Sequence, residues 1–168
     1  MIAQNIEIRL AKDNDFDEIY RIWLDGISNS FDDSAFNMEQ IRKKFASNFF
    51  SRNGIFNFWL AVDETEKILG WQSLIRVSNN PFREHAFAES STYISKSNRL
   101  KGVGKLLLEY VMAQAEKSEL EYIIGFVALT NEAAKKITSE TGWHVIGQMP
   151  DSKKGNNKIR KSILIRTV

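Results

Sequence analysis

The sequence predicts a mixed α/β fold in one domain spanning residues 1–168, a mixed sheet with helices packed against it. Three observations carry this. Short alternating apolar segments come first, joined by hairpin turns. The apolar period then changes from strand-like to helix-like at Gly102. A strand–helix–strand unit and a last hairpin follow, so parallel and antiparallel pairing both have to occur.

The elements follow in order. Ile6-Glu7-Ile8-Arg9-Leu10 alternates as a strand. Asp13 to Asp17 supplies capping and acidic first-turn residues for a helix whose face is Phe16, Ile19, Tyr20, Trp23 and Ile27. Ser28 to Phe36, rich in Ser and Asp, is a loop. Asn37, with Gln40 three residues on, starts a second helix with the stripe Ile41, Phe45 and Phe49. Phe56 to Val62 and Ile68 to Val77 are strands joined by the turn Asp63-Glu64-Thr65-Glu66-Lys67. Asn79-Asn80-Pro81 breaks the chain, and Ala86 to Ser95 is extended, with β-favouring Thr92, Tyr93 and Ile94. From Gly102, the residues Val103, Leu106, Leu107, Tyr110 and Val111 form an amphipathic helix. Tyr122 to Val127 is a continuous apolar run, expected to be a strand buried on both faces. Asn131 caps a short helix carrying Ala133, Ala134 and Ile137, which Gly142 ends. Trp143 to Met149 and Ile159 to Arg166 form the final hairpin.

Composition excludes several classes. A chain of 168 residues with 43% hydrophobic and 26% charged residues can bury a core without staples. A net charge of +2 with no like-charge block argues against nucleic-acid partners. The basic stretch from Lys153 to Lys161 is expected to be a solvated hairpin. There is no cysteine, which excludes disulfides, thiolate nucleophiles and thiolate metal sites, and two histidines make a metal site unexpected. Met1 to Asn5 shows no signal-peptide pattern and no apolar run reaches the ~20 residues of a membrane span, so a cytoplasmic protein without membrane contact is expected.

One stretch carries chemistry. A strand, Tyr93-Ile94-Ser95, runs into Arg99-Leu100-Lys101-Gly102-Val103-Gly104-Lys105, which becomes a helix. A helix start offers unpaired N–H groups and a positive dipole end, and glycines let a phosphate come close. Arg99, Lys101 and Lys105 add positive charge. A Walker loop is excluded because Gly104-Lys105 is followed by Leu106, and a dinucleotide fingerprint because position 107 is Leu. Two glycines alone also fit a plain tight turn before a helix.

Arg99-Leu100-Lys101-Gly102-Val103-Gly104 resembles the Arg/Gln-x-x-Gly-x-Gly/Ala signature of GCN5-related N-acetyltransferases. Asn131 to Trp143 resembles a second family segment, and the element order agrees over essentially the whole chain. The resemblance implies that family's fold: a mostly antiparallel sheet with one splayed parallel strand pair and helices on both faces. It implies acetyl-CoA as co-substrate, with no metal, and a small-molecule amine as acceptor. It assigns Tyr93, Ile94, Ser95, Arg99, Leu100, Lys101, Gly102, Val103, Gly104, Lys105 and Asn131 to acetyl-CoA binding. The diphosphate would lie on the amides of Leu100 to Lys105, and the N–H near Ile94 on the thioester oxygen. Asn131 would fix the pantetheine arm. Dimerisation is common in the family, so a homodimer is a possible assembly.

Two positions depart from the family pattern. Leu100 stands where Gly is frequent, and Thr138 where a tyrosine acid is frequent. Glu89-Ser90-Ser91-Thr92-Tyr93-Ile94 is similar to the Glu-x-Ser-x-Tyr-Val of phosphinothricin and amino-acid acetyltransferases, although Arg83 and Glu89 are closer together than in that group. In that group the Glu is a candidate general base, so Glu89 is the expected base here. Strand alternation puts Glu89, Ser91 and Tyr93 on one face. Arg76 and Arg83 are candidates for holding an acceptor carboxylate, His85 is a weaker base candidate, and His144, beside Trp143 on a strand, is expected to be a packing or surface residue. The expected acceptor is a small amino acid or related amine. The alternatives are a non-catalytic acetyl-CoA-binding module, or acetylation of a protein amine or aminoglycoside.

Overall fold

The chain is seen as a computed structural model describing residues 5–27, 34, 36–98, 100–154 and 159–168. Strands β1 (Glu7–Leu10), β2 (Phe58–Val62), β3 (Ile68–Arg76), β4 (Phe87–Ile94), β5 (Tyr122–Ala128), β6 (His144–Gln148) and β7 (Lys161–Thr167) form a 7-stranded sheet. Its order is β1-β2-β3-β4-β5-β7-β6, and β4–β5 is the parallel pair in an otherwise antiparallel sheet. The α-helices among the described residues are α1 (Phe16–Gly26), α2 (Met38–Phe50), α3 (Val103–Ala115) and α4 (Glu132–Glu140). A parallel pair needs a crossover, and α3 supplies it. Most of the Ser/Asp-rich segment 28–36 lies outside the described residues.

The β2–β3 hairpin closes on the Asp63 carboxylate, which accepts from the N–H groups of Thr65 (2.8 Å) and Lys67 (3.1 Å). Asn37 caps α2 by accepting from the N–H groups of Glu39 and Gln40. On one sheet face, α1 and α2 press Phe16, Tyr20, Phe45 and Phe49 against Phe58 and Trp71, with ring centroids 5–6 Å apart. Trp71 Nε1 donates to the carbonyl of Ile19 at 3.1 Å, tying β3 to α1.

On the opposite face, α3 buries Val103, Gly104, Leu107, Leu108, Val111, Met112 and Ala115. The expected stripe is therefore corrected: Leu106 and Tyr110 are both 40% exposed. Stepping by three and four from Val103 gives either stripe. The helix settles on the one whose Val103 and Leu107 pack on Ala61 and Leu69, and whose Leu108, Val111 and Met112 pack with Leu74 and Ala88.

The β5 expectation also needs correction. Ile123 is fully buried, but Tyr122 and Phe126 are 37% and 39% exposed. Helices α1 and α2 pack over β2 to β4, and Tyr122 and Phe126 of β5 lie outside that cluster.

Candidate active site

The site begins where β4 and β5 part. They pair only through Phe87↔Tyr122, Ala88↔Ile123 and Glu89↔Ile124. Beyond Glu89, β4 stays with β3 up to Gly70↔Ile94, while β5 stays with β7 up to Ala128↔Lys161. The wedge between them is a cavity of about 340 Å³.

Backbone polarity makes this wedge hungry for partners. The N–H of Ser95 donates to Leu69 O on β3 at 2.9 Å. Strand N–H groups alternate in direction, so those of Thr92 and Ile94 turn the other way, into the wedge. There β5 has already left, and no strand pairs with them. Such groups are normally satisfied, which makes them natural ligand contacts.

The wedge is lined from both faces of the sheet. Ser90, Thr92, Gly104, Leu108, Ala134, Ile137, Thr138 and Trp143 line it on the α3 side. Glu89, Ser91, Tyr93, Gly26 and Lys161 line it on the α1 side. The alternation expected of Glu89, Ser91 and Tyr93 is present, and Tyr93 packs on Trp71 with centroids 5.0 Å apart. A Cβ on Gly26 would meet the Tyr93 ring at 2.8 Å, so glycine at the end of α1 is what lets that ring lie there. Gln72, fully buried, donates to Ser90 Oγ at 2.6 Å and accepts from the Thr92 hydroxyl, which fixes both rotamers on the α3-side wall.

At one end of the wedge stands the start of α3. Gly102 is its N-cap at φ +88°, a conformation natural to glycine. The first helical bond runs from Leu106 N–H to Gly102 O at 3.0 Å, so the N–H groups of Val103, Gly104 and Lys105 lack intrahelical acceptors. A Cβ on Gly104 would meet only Ile137 and Ile94, no closer than 3.5 Å. Glycine is thus not needed there for the fold, but it keeps the backbone bare beside the wedge. The expectation for Leu100 is narrowed: its N–H already donates to Asn98 Oδ1 at 2.9 Å. Buried Ser95 has its hydroxyl 3.0 Å from that of Ser97. Lys101 is exposed, and Lys105 pairs with Glu140 at 3.1 Å. Arg99 lies outside the described residues.

Near the other end stands Glu89. Burial pushes its carboxyl above the usual carboxylate range, and the charge of Lys161 pulls it back part of the way. Burial likewise pushes the Lys161 ammonium down, against the opposing pull of Glu89. Lys161 is a residue that sequence reasoning missed. It ends the stretch expected to be a solvated hairpin, yet it is only 7% exposed. Only the sheet order reveals this, because β7 lies next to β5.

The remaining candidates sort by geometry. Asn131 lines the wedge, but its Oδ1 caps α4 by accepting from Ala134 N–H at 3.0 Å, which leaves its NH2 group as the end for a ligand. The Thr138 hydroxyl donates back to the carbonyls of Ala134 (2.8 Å) and Lys135 (3.1 Å), so it is a poor proton source. Arg76 bonds the Glu84 carbonyl and lies over the Phe56 ring at 4.2 Å; it does not line the wedge, nor does exposed Arg83. His85 is 58% exposed beside Glu84, and His144 is exposed on β6. Trp59 and Trp71 are core residues. Among the described residues, no cluster of three or more His, Asp or Glu side chains fits a metal ion, and no helix is long and apolar enough to cross a membrane.

Solved structures share this architecture. A GCN5-related N-acetyltransferase from Kribbella flavida superposes with TM-score 0.79 at 21% identity, covering 97% of this chain and 98% of that one. A ribosomal-protein-alanine N-acetyltransferase from Brucella melitensis gives 0.77 at 19%, covering 96% and 99%. A GNAT superfamily phosphinothricin acetyltransferase from Sinorhizobium meliloti, in complex with acetyl-CoA, gives 0.74 at 19%, covering 97% and 88%. No curated protein matches the sequence. The family model for the acetyltransferase (GNAT) domain matches residues 8–163, nearly the whole chain, including the wedge and both of its ends. The chain therefore belongs to the GNAT family of acetyl-CoA-dependent N-acetyltransferases.

Proposed function

We propose that this enzyme, acting as a single domain, moves the acetyl group of acetyl-CoA directly onto the primary amine of a small amino acid or a related small molecule in the cytoplasm. The observation that carries this is the wedge: helix N–H groups at one end, a shielded carboxylate near the other, and unpaired strand N–H groups between. The diphosphate fits the amides of Val103, Gly104 and Lys105, with Lys101 nearby. The pantetheine arm runs down the α3 side past Thr92 and the NH2 group of Asn131. The complex with the Sinorhizobium meliloti enzyme supports acetyl-CoA as the donor.

The acceptor approaches from the α1 side as an ammonium ion and gives one proton to Glu89, directly or through a water. Its freed lone pair attacks the thioester carbon. The N–H of Ile94 stabilises the oxyanion that develops. The C–S bond then breaks, its electrons stay on sulfur, and the nitrogen loses its second proton. With the Thr138 hydroxyl committed to its own helix, the thiolate takes its proton from water or from Glu89. The balance is one ammonium plus acetyl-CoA in, and one amide, CoA thiol and one proton out. With no cysteine in the chain, no acyl-cysteine intermediate forms and both substrates are bound together.

Turnover of acetyl-CoA across a panel of amino acids, polyamines, aminoglycosides and peptides tests the acceptor class. Small amino acids are expected to turn over fastest; preference for a peptide N-terminus would replace this reading. Glu89→Gln is expected to lower kcat by about 10²–10⁴-fold with acetyl-CoA affinity unchanged. A loss below tenfold removes Glu89 as the base.

A further inference from the structure

Lys161 stands in an unusual place for a lysine. It opens β7 opposite Ala128, while Glu89 lies opposite Ile124. Ile124 and Ala128 are four residues apart on β5, so they share a face, and their cross-strand partners share it with them. Glu89 and Lys161 thus flank the wedge on its α1 side, one on each strand wall, and both line it. A lysine this deeply buried is rare unless opposite charge balances it.

Charged groups of the surrounding elements are turned elsewhere: on α4, Lys135 pairs with Glu132 at 3.0 Å and Lys136 is exposed. On α1, Arg21 pairs with Glu18 and with Asp25 (2.9 Å). On β3, Arg76 is held by Glu84, and on β7 Arg166 pairs with Glu116 at 3.1 Å. On α3, Lys105 faces Glu109 and Glu140. On the Glu89 face of the sheet, Arg9 of β1 pairs with Asp15 (2.8 Å) and Glu66 (3.5 Å), Glu7 of β1 is exposed, and His144 of β6 is exposed three strands away. The charge that acts on Glu89 is that of Lys161.

We propose that Lys161 is a positioning residue for proton transfer: its ammonium keeps the Glu89 carboxylate charged inside the wedge, so that Glu89 can take the acceptor's proton near neutral pH. The inference rests on the reading of Glu89 as general base. Without Lys161, burial alone would govern Glu89. The carboxyl would then be protonated, and unable to accept, over a wider range of pH.

The test is the pH dependence of kcat/KM for the wild type, Lys161→Met, Lys161→Gln, Lys161→Arg, Glu89→Gln and the double variant Glu89→Gln/Lys161→Met. One acceptor amine is used throughout, so its own ionisation is common to every curve. Acetyl-CoA binding by calorimetry reports whether each variant is folded. The two neutral replacements are expected to move the acidic limb upward by about one pH unit or more, with the alkaline plateau and acetyl-CoA affinity preserved. Lys161→Arg restores the limb, and Lys161→Met has no further effect once Glu89 is Gln. An unmoved limb in both neutral variants, while Glu89→Gln abolishes it, overturns the role of Lys161 and leaves Glu89 standing. A wild-type acidic limb in Glu89→Gln overturns the base itself and this inference with it.

Discussion

The two sides of β4 are built to opposite specifications. Toward β3 it is registered from Arg76↔Ala88 to Gly70↔Ile94, over a floor of closely packed, tilted aromatic rings. Toward β5 it pairs for three residues and then lets go. Helix α4, across the wedge, has no buried residue, whereas α1 buries Phe16, Ile19, Tyr20 and Ile22. A reacting geometry needs one wall that does not move and one that can open for a ligand. The β1–β4 half is the more densely packed wall, and α4, with no buried residue of its own, is the element of the other wall least held by the core.

The sharpest way to break this contrast is to damage the densely packed half alone. Phe49, fully buried among Phe16, Phe50 and Phe58, has no contact with the wedge. Phe49→Ala is expected to cost about 3–5 kcal/mol in urea unfolding, with acetyl-CoA affinity of the folded protein within twofold of wild type. A large loss of affinity would show that the halves are not separable.

The next test loads the other half. At a hundredfold excess over its dissociation constant, acetyl-CoA is expected to stabilise the protein by about 2.7 kcal/mol. Hydrogen exchange should slow most at Val103, Gly104, Thr92 and Ile94 and least in β1 and β2. Gly104→Asp is expected to abolish this shift, since it sets a carboxylate beside the diphosphate. Protection spread evenly over both halves would refute the division.

A smaller effect belongs to the N-terminal edge. Asp15 accepts from Arg9 at 2.8 and 3.0 Å and from Lys12 N–H at 2.7 Å. Burial alone would push its carboxyl up, but these hydrogen bonds prevail and hold it below the usual carboxylate range. A lowered value means stability that is fully present above the unfolded pKa of about 3.9 and is lost as pH falls through the folded value. Asp15→Asn should therefore cost about 1–2 kcal/mol at neutral pH, and the two unfolding curves should converge in acid. Constant separation down to low pH would mean that the cost of the substitution does not come from the ionised carboxylate.

What could be read from the residues follows the range of the interactions involved. Gly102-Val103-Gly104 announces its helix start because capping chemistry is local. Period two puts Glu89, Ser91 and Tyr93 on one face without any tertiary knowledge. Lys161 is different: its neighbours are fixed by strand order, and a run of Lys, Asn and Gly looks solvated wherever it lies. Leu106 and Tyr110 misled for a related reason, since an apolar stripe four residues wide does not say which edge meets the sheet. The open face of β5 was hidden because an apolar run carries no mark of where the covering helices stop. Thr138 marked a departure from the family pattern, but only the folded chain shows that its hydroxyl bonds back into α4.

The wedge passes between two strands and is lined from both faces of the sheet, so it is less a pocket than a window. On the proposed reading, reactants that meet through a window need not queue: each has its own side, and neither blocks the other's way in or out. Initial-rate patterns at varied acetyl-CoA and amine should therefore intersect without a compulsory order of addition. CoA should compete with acetyl-CoA while leaving the amine's own saturation untouched. The amide product and the spent thiol can also leave independently, so slow release of one need not hold back the other.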